Sequence, residues 1–171
     1  MSGMALGAVV TFDLSGFESR DFAGDPDNLL FELVPSEPQV YITHLAWDVN
    51  LTTYSPSWAD EVTITITDSV GAQAVIAPGI GDAFSVQNEN YSGTSGTGLL
   101  FRQDQAAYLE IHERGFDDIP DAADALFEDG SWLRLEVLTG DFDIKLVQVP
   151  NPGTIAVFGF AGLAGTRRRR A

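Results

Sequence analysis

Carboxylates are the most abundant ionisable side chains of this chain, and two stretches concentrate them. One places six carboxylates within thirteen residues, at Asp117, Asp118, Asp121, Asp124, Glu128 and Asp129. The other is the compact turn Asp25-Pro26-Asp27-Asn28. Calcium takes six to eight oxygen ligands in a flexible geometry, and Asp-rich loops can supply them. Neither stretch has the D-x-D-x-D-G spacing of a dedicated calcium loop, so calcium binding by Asp117, Asp118, Asp121 and Asp124 stands beside the simpler interpretation of solvated acidic loops.

A second candidate site is the aromatic segment Tyr54-Ser55-Pro56-Ser57-Trp58. It lies between two predicted strands, where Tyr54 and Trp58 could present flat rings to a sugar, with Asp60 or Asn90 as a polar neighbour. A tryptophan in such a loop more often closes the end of the hydrophobic core. Both interpretations, a glycan site and a core lid, remain open at this point.

Catalytic machinery has little support in the sequence. A glycosidase needs two carboxylates roughly 5 to 10 Å apart, and no pair is singled out. His112-Glu113 lacks a second histidine four residues after the first, because position 116 is Phe. The chain has no G-x-S-x-G motif, and the glycine-rich stretch 93–98 lacks the lysine of a phosphate loop. We therefore predict a protein that is not an enzyme, with glycan hydrolysis as a distant alternative.

Net charge and cysteine content exclude several classes of partner and site. Of the nine Lys and Arg residues, four lie at the C-terminus, which leaves five basic against 25 acidic residues in the rest of the chain. Such a body repels nucleic acid and anionic lipid, so we predict no nucleic-acid partner. The absence of cysteine excludes disulfides and thiolate metal sites.

Alternation of apolar and polar residues with period two dominates residues 9–148, which predicts one domain of half-buried strands. The alternating segments are 10–14, 40–51, 62–67, 108–112, 132–137 and 142–146, and shorter apolar runs lie at 29–33, 74–76 and 99–102. Because Thr139-Gly140-Asp141 separates the last two alternating segments, they predict a hairpin. We expect an all-β fold: an antiparallel two-sheet sandwich or jelly roll of eight or nine strands.

Two segments depart from this pattern. Residues 121–127 predict a helix of two turns at most, with Asp121 as its N-cap. Residues 87–98 are rich in Gly, Ser and Thr and predict a long loop.

The composition changes abruptly at residue 149. Val149-Pro150-Asn151-Pro152 is stiff and extended, because each proline fixes φ and disfavours the helical region for the residue before it. Residues 155–165 are uniformly apolar or small and predict a short helix, followed by Arg167, Arg168, Arg169 and Arg170. A helix needs roughly 20 apolar residues to cross a bilayer, so this run predicts only transient membrane contact.

This order of elements resembles the PEP-CTERM sorting tail, which exosortase processes in bacteria that make exopolysaccharide. Asn151 stands where the family motif has Glu. The resemblance implies cleavage near residues 150–152, transient retention at the inner membrane, and delivery of the body to the cell surface or extracellular matrix. Residues 1–8 lack a basic region and are interpreted as the remnant of a signal peptide or as a frayed terminus.

The body also resembles the jelly-roll domains found ahead of such tails, of the proprotein-convertase P-domain and galactose-binding types. The similar segments are 47–52, 55–58, 78–82 and 113–118. The resemblance implies a fold rather than an activity. We therefore predict an exported, non-catalytic surface or matrix protein that contacts exopolysaccharide or another glycan. The alternatives are a calcium-dependent carbohydrate-binding module and a glycan hydrolase.

Overall fold

The computed structural model describes residues 8–115, 122–138 and 140–148. These residues form eleven strands and one 3-10 turn, Ala59–Glu61. The strands are β1 Ala8–Asp13, β2 Glu18–Ser19, β3 Leu29–Pro35, β4 Gln39–Thr53, β5 Val62–Thr67, β6 Gln73–Ile76, β7 Glu89–Arg102, β8 Tyr108–Glu113, β9 Ala125–Phe127, β10 Trp132–Val137 and β11 Phe142–Gln148.

The strands form two antiparallel sheets with the strand order of a jelly roll. Sheet A contains the order β1-β10-β4, with β7 on the other edge of β4, and β9 and β2 continue the edge that β10 occupies. Sheet B has the order β11-β3-β8-β5-β6. The chain changes sheet at most connections, so the orders β1-β10-β4-β7 and β3-β8-β5-β6 are those of an eight-stranded jelly roll. The predicted all-β sandwich is confirmed, but the described residues form eleven strands rather than the predicted eight or nine, because β2, β9 and β11 are added to the eight.

The core lies between the sheets and is formed by the apolar positions of each alternating strand. Leu33, Leu45, Ile64, Leu109 and Leu135 are all buried. Removing this apolar surface from water is the main stabilising contribution. No cysteine or metal is needed for a core of this size.

A bulge in β4 changes which of its residues face the core. The pairing with β10 places Ile42 opposite Val137 and His44 opposite Glu136, so β4 carries one extra residue, Thr43, at this point. Val40 and Ile42 are buried before the shift, and Leu45 and Val49 are buried after it. The extra residue therefore moves the inward positions from even to odd numbers, as β-bulges do. Beyond it, the even-numbered side chains of β4 point away from the core.

Three sequence predictions about local structure are wrong. Residues 89–98 belong to the strand β7 rather than to a loop, and the apolar run 99–102 is its predicted end. Gly, Ser and Thr do not favour a strand locally, but pairing along nearly all of β4 supplies their hydrogen bonds. Residues 125–127 are the strand β9 rather than part of a helix, since they pair with both β4 and β2. β10 and β11 do not form a hairpin, because β10 lies in sheet A and β11 pairs with β3 in sheet B.

The predicted tail helix and all but the last residue of the predicted signal-peptide remnant lie outside the described residues. Within residues 8–115, 122–138 and 140–148, no helix is long and apolar enough to span a bilayer.

Candidate functional site

The segment after β4 exposes the two aromatic rings that the sequence singles out. Tyr54 is 42% exposed and Trp58 is 46% exposed. Trp58 immediately precedes the 3-10 turn Ala59–Glu61, and its backbone N–H donates to Glu61 Oε2 at 2.7 Å. About half of the Trp58 surface is therefore exposed, and Trp58 is not part of the hydrophobic core.

A neighbouring loop, residues 77–88, holds this segment from the side. The Ala59 N–H donates to the Phe84 carbonyl at 3.0 Å, and Ser85 Oγ donates to the Ser57 carbonyl at 2.8 Å. Gly79 packs so tightly that a Cβ there would lie 2.5 Å from the Ala59 carbonyl oxygen. The two segments are thus fixed against each other by hydrogen bonds and close packing.

The same loop adds two exposed apolar side chains to the two rings. Phe84 is 74% exposed and Ile80 is 68% exposed. We call Tyr54, Trp58, Ile80 and Phe84 the aromatic end surface. Large apolar side chains exposed together at one end of a domain are typical of a binding site.

Carboxylates influence the phenol of Tyr54. Burial of its phenol raises the pKa of Tyr54, and the nearby carboxylates of Glu18 and Glu128 raise it further. The Tyr54 phenol therefore lies in a negative electrostatic environment. Glu128 is itself positioned by Thr52, whose Oγ1 donates to Glu128 Oε1 at 2.6 Å.

The turn after β2 gathers three aspartates that could hold a metal ion. One carboxylate oxygen each from Asp21, Asp25 and Asp27 lies within 4.8 Å of the others. Asn28 fixes the turn: its Oδ1 accepts from the Asp21 N–H at 3.1 Å, and its Nδ2 donates to Glu110 Oε1 at 2.9 Å. The sequence pointed to the acidic turn 25–28, but Asp21 joins it only because the chain folds back. The Asp-x3-Asp-x-Asp spacing was the available signal.

The predicted calcium ligands are only partly within the described residues. Asp117, Asp118 and Asp121 lie outside them. Asp124 is buried, and its Oδ1 accepts a hydrogen bond from Ser57 Oγ at 2.9 Å. Asp124 thereby ties the aromatic segment to the body of the domain. The predicted sorting residues Val149, Pro150, Asn151, Pro152 and the four terminal arginines also lie outside the described residues.

Sequence reasoning missed a polar and aromatic arrangement on the outer face of sheet A, the face directed away from sheet B. Trp132 and Arg134 project there from β10, with the guanidinium carbon 4.1 Å from the centroid of the Trp132 ring. Next to them, Asn90 Nδ2 donates to Asp48 Oδ1 at 2.7 Å and to Asn50 Oδ1 at 2.9 Å. The outward positions of the alternating strands were the signal that could have found them.

Neither histidine forms part of a metal site among the described residues. His112 is buried, its Nε2 lies 2.8 Å from Thr65 Oγ1, and its Nδ1 lies 2.8 Å from the Glu113 carbonyl oxygen. Nε2 therefore connects β8 to β5, whereas the Nδ1 contact lies within β8. His44 is exposed on β4, with Nδ1 3.5 Å from Glu136 Oε2.

No family model and no curated protein matches this chain. Among solved structures, a family two carbohydrate esterase from Cellvibrio japonicus is similar at 14% identity and a TM-score of 0.23. The alignment covers 85% of this chain and 36% of the esterase, so the chain spans about a third of that structure. A TM-score this low does not establish a shared fold, and the likeness decides nothing about function.

Proposed function

We propose that this β-sandwich is the non-catalytic, glycan-binding body of an exported protein of the bacterial cell surface or matrix. The observation that carries the proposal is the exposure of Tyr54 and Trp58, at 42% and 46%, on a loop at one end of the sandwich. Aromatic rings present a flat apolar face that suits the apolar face of a sugar ring.

The rigidity of the aromatic end surface supports the same conclusion. Hydrogen bonds from Ser57 to Asp124 and from Ser85 to Ser57 hold the loop in place before any ligand arrives. A preorganised surface loses little conformational entropy on binding, so more of the contact energy appears as affinity. The Glu128 carboxylate, which accepts from Thr52 Oγ1 at 2.6 Å, adds an acceptor for sugar hydroxyls.

A glycan array followed by calorimetry on the full chain tests this proposal. Trp58→Ala and Tyr54→Ala should each weaken binding about two- to tenfold, since one aromatic contact contributes roughly 0.5 to 1.5 kcal/mol. Tyr108→Ala is the matched control, because Tyr108 is exposed on β8 of sheet B. Retention of no glycan, or equal losses in all three variants, would contradict the proposal.

Delivery through the C-terminal tail is the second part of the proposal. Its support is the order of Pro150, Pro152, an apolar run and Arg167–Arg170, which resembles an exosortase signal. The full precursor should lose the arginine tail when it is expressed with exosortase and keep it without the enzyme. Mass spectrometry measures the difference, and an uncleaved chain in both hosts would refute this part.

We also propose that calcium occupies the turn of Asp21, Asp25 and Asp27. Three carboxylates within 4.8 Å, on a turn already fixed by Asn28, have the oxygen chemistry that calcium prefers. Calcium should raise the melting temperature of the chain, because a ligand that binds only the folded state stabilises it. Asp25→Asn with Asp27→Asn should abolish the increase, whereas Asp143→Asn on β11 should leave it intact. An equal rise in melting temperature in the wild type and in the Asp25→Asn, Asp27→Asn double variant would show that calcium does not bind this turn.

Glycan hydrolysis is the catalytic alternative, and it requires a cleft with two facing carboxylates. A groove of about 200 Å³ beside β3 carries Glu32 and Asp104. Our proposal predicts that the chain releases no reducing ends from any glycan it binds. Release that disappears in Glu32→Gln would show an enzyme instead.

A further inference from the structure

A line of hydrogen-bonding side chains connects two aromatic residues along the outer face of sheet A. Trp132 faces Asp48 across the β10–β4 pairing, and Asn90 of β7 bonds both Asp48 and Asn50. Tyr54 follows β4 six residues after Asp48. At about 3.3 Å per residue the line is roughly 20 Å long.

The line has no apolar interruption between its ends along β4. After Asn50, the next outward residue is Thr52, which donates to Glu128. The Glu128 N–H donates to the Asn50 carbonyl at 2.8 Å, and the N–H of Tyr54, two residues after Thr52, donates to the Asp124 carbonyl at 2.8 Å. The outer face is therefore continuous with the aromatic end surface.

The outer face of sheet A carries more negative than positive side chains. Five carboxylates lie on it or at its border: Asp13, Glu18, Asp48, Glu128 and Glu136. Three arginines accompany them, so the carboxylates remain in excess. Arg20 pairs with Glu18 at 2.6 Å, Arg134 stacks on Trp132, and Arg102 lies opposite Gln39, at the end of β4 away from Tyr54. The face as a whole therefore attracts cations and repels anions.

We infer that this face binds a linear polysaccharide that carries free amino groups, lying along β4 from Tyr54 to Trp132. This inference rests on the proposed glycan-binding function and specifies its ligand class. Protonated amines of such a polymer would lie against Asp48 and Glu128, and its sugar rings against the aromatic residues. A uronate polymer is negatively charged and would be repelled by this face.

Binding of the full chain to chitin oligosaccharides of one length, fully acetylated or deacetylated, tests the inference. The deacetylated oligomer should bind more tightly, and the advantage should shrink as salt rises. Asp48→Asn and Glu128→Gln keep a hydrogen-bond acceptor but lose the charge, and each should weaken its binding about two- to fivefold. Trp132→Ala should weaken binding of both oligomers about two- to tenfold. Asp143→Asn removes the same charge from β11 of sheet B and should change nothing.

The outcomes separate this inference from the proposed function. If Trp58→Ala weakens binding while deacetylation, Asp48→Asn and Trp132→Ala have no effect, the inference is wrong and the end-surface proposal stands. Tighter binding of a uronate polymer also overturns the inference. If no glycan binds to a chain whose melting temperature is normal, both fail.

Discussion

A glycine in β7 determines how closely this edge strand packs on Trp47. A Cβ at Gly93 would lie 2.4 Å from Cζ2, 2.8 Å from Cε2 and 3.0 Å from Cη2 of Trp47. Side-chain carbons do not approach this closely, so Gly93→Ala must displace either the indole or the strand. Overpacking of this kind costs about 1 to 3 kcal/mol of unfolding free energy.

Gly96 in the same strand is the matched control. A Cβ at Gly96 would meet only His44 Cδ2, at 4.0 Å. Gly96→Ala therefore creates no clash and should gain about 0.5 to 1 kcal/mol, because alanine loses less backbone entropy than glycine in a strand. The two substitutions differ in their contact with Trp47, so we expect Gly93→Ala to be less stable than Gly96→Ala by about 1.5 to 4 kcal/mol.

Urea unfolding followed by tryptophan fluorescence measures both free energies. Trp47→Leu in the Gly93→Ala background adds a second test, because a smaller side chain opposite residue 93 should relieve the clash. The double-mutant cycle should then show a coupling of at least about 0.5 kcal/mol. Equal stabilities of the two alanine variants, or additive effects with Trp47→Leu, would refute the steric explanation.

Three further predictions concern hydrogen-bonded polar groups and are measured by urea unfolding. Asp68→Ala should lower the free energy of unfolding by about 2 to 4 kcal/mol, because the buried Asp68 carboxylate accepts hydrogen bonds from three backbone N–H groups at 2.8 to 2.9 Å. A loss no larger than about 0.5 kcal/mol, as for a surface substitution, would contradict this. Burial and the hydrogen bond to Asp82 raise the pKa of Tyr91 above its ordinary 10.0, so Tyr91 stabilises the fold below pH 10 and this contribution disappears as pH rises through the folded-state pKa. Tyr91→Phe should therefore reduce the loss of stability above pH 10, and an unchanged slope would count against this. His112→Phe should cost about 1 to 3 kcal/mol, since it leaves the Thr65 hydroxyl without its ring partner; a neutral result would show that solvent or a rotamer change replaces the bond.

The architecture could be predicted from the sequence because sheet burial imposes its period directly on the residues. Strands β4, β5, β8 and β10 each place apolar side chains on the core side and polar ones outside. This pattern requires only a strand and a core, whatever its neighbours are. Tyr54 and Trp58 could be selected in the same way, as large rings in a short connection between strands.

The remaining features depend on partners that are distant in the chain. β7 is a strand because it pairs with β4 over most of its length. Gly93 leaves room for the ring of Trp47, which lies 46 residues earlier in the sequence. The sequence stretch after β10 looks like a hairpin turn, yet β11 finds its hydrogen bonds on β3. Local propensity does not contain this choice, because both pairings satisfy the same alternation.

The sequence by itself determined that this protein is an acidic, cysteine-free β-sandwich with aromatic rings in a connecting loop and a tail that resembles a sorting signal. Only the tertiary structure decided that Asp21 meets Asp25 and Asp27, and that Trp132 lies opposite Asp48 on the outer face of sheet A. The physical reason is that alternation fixes which side of a strand a residue occupies, whereas the strand order decides what lies beside it.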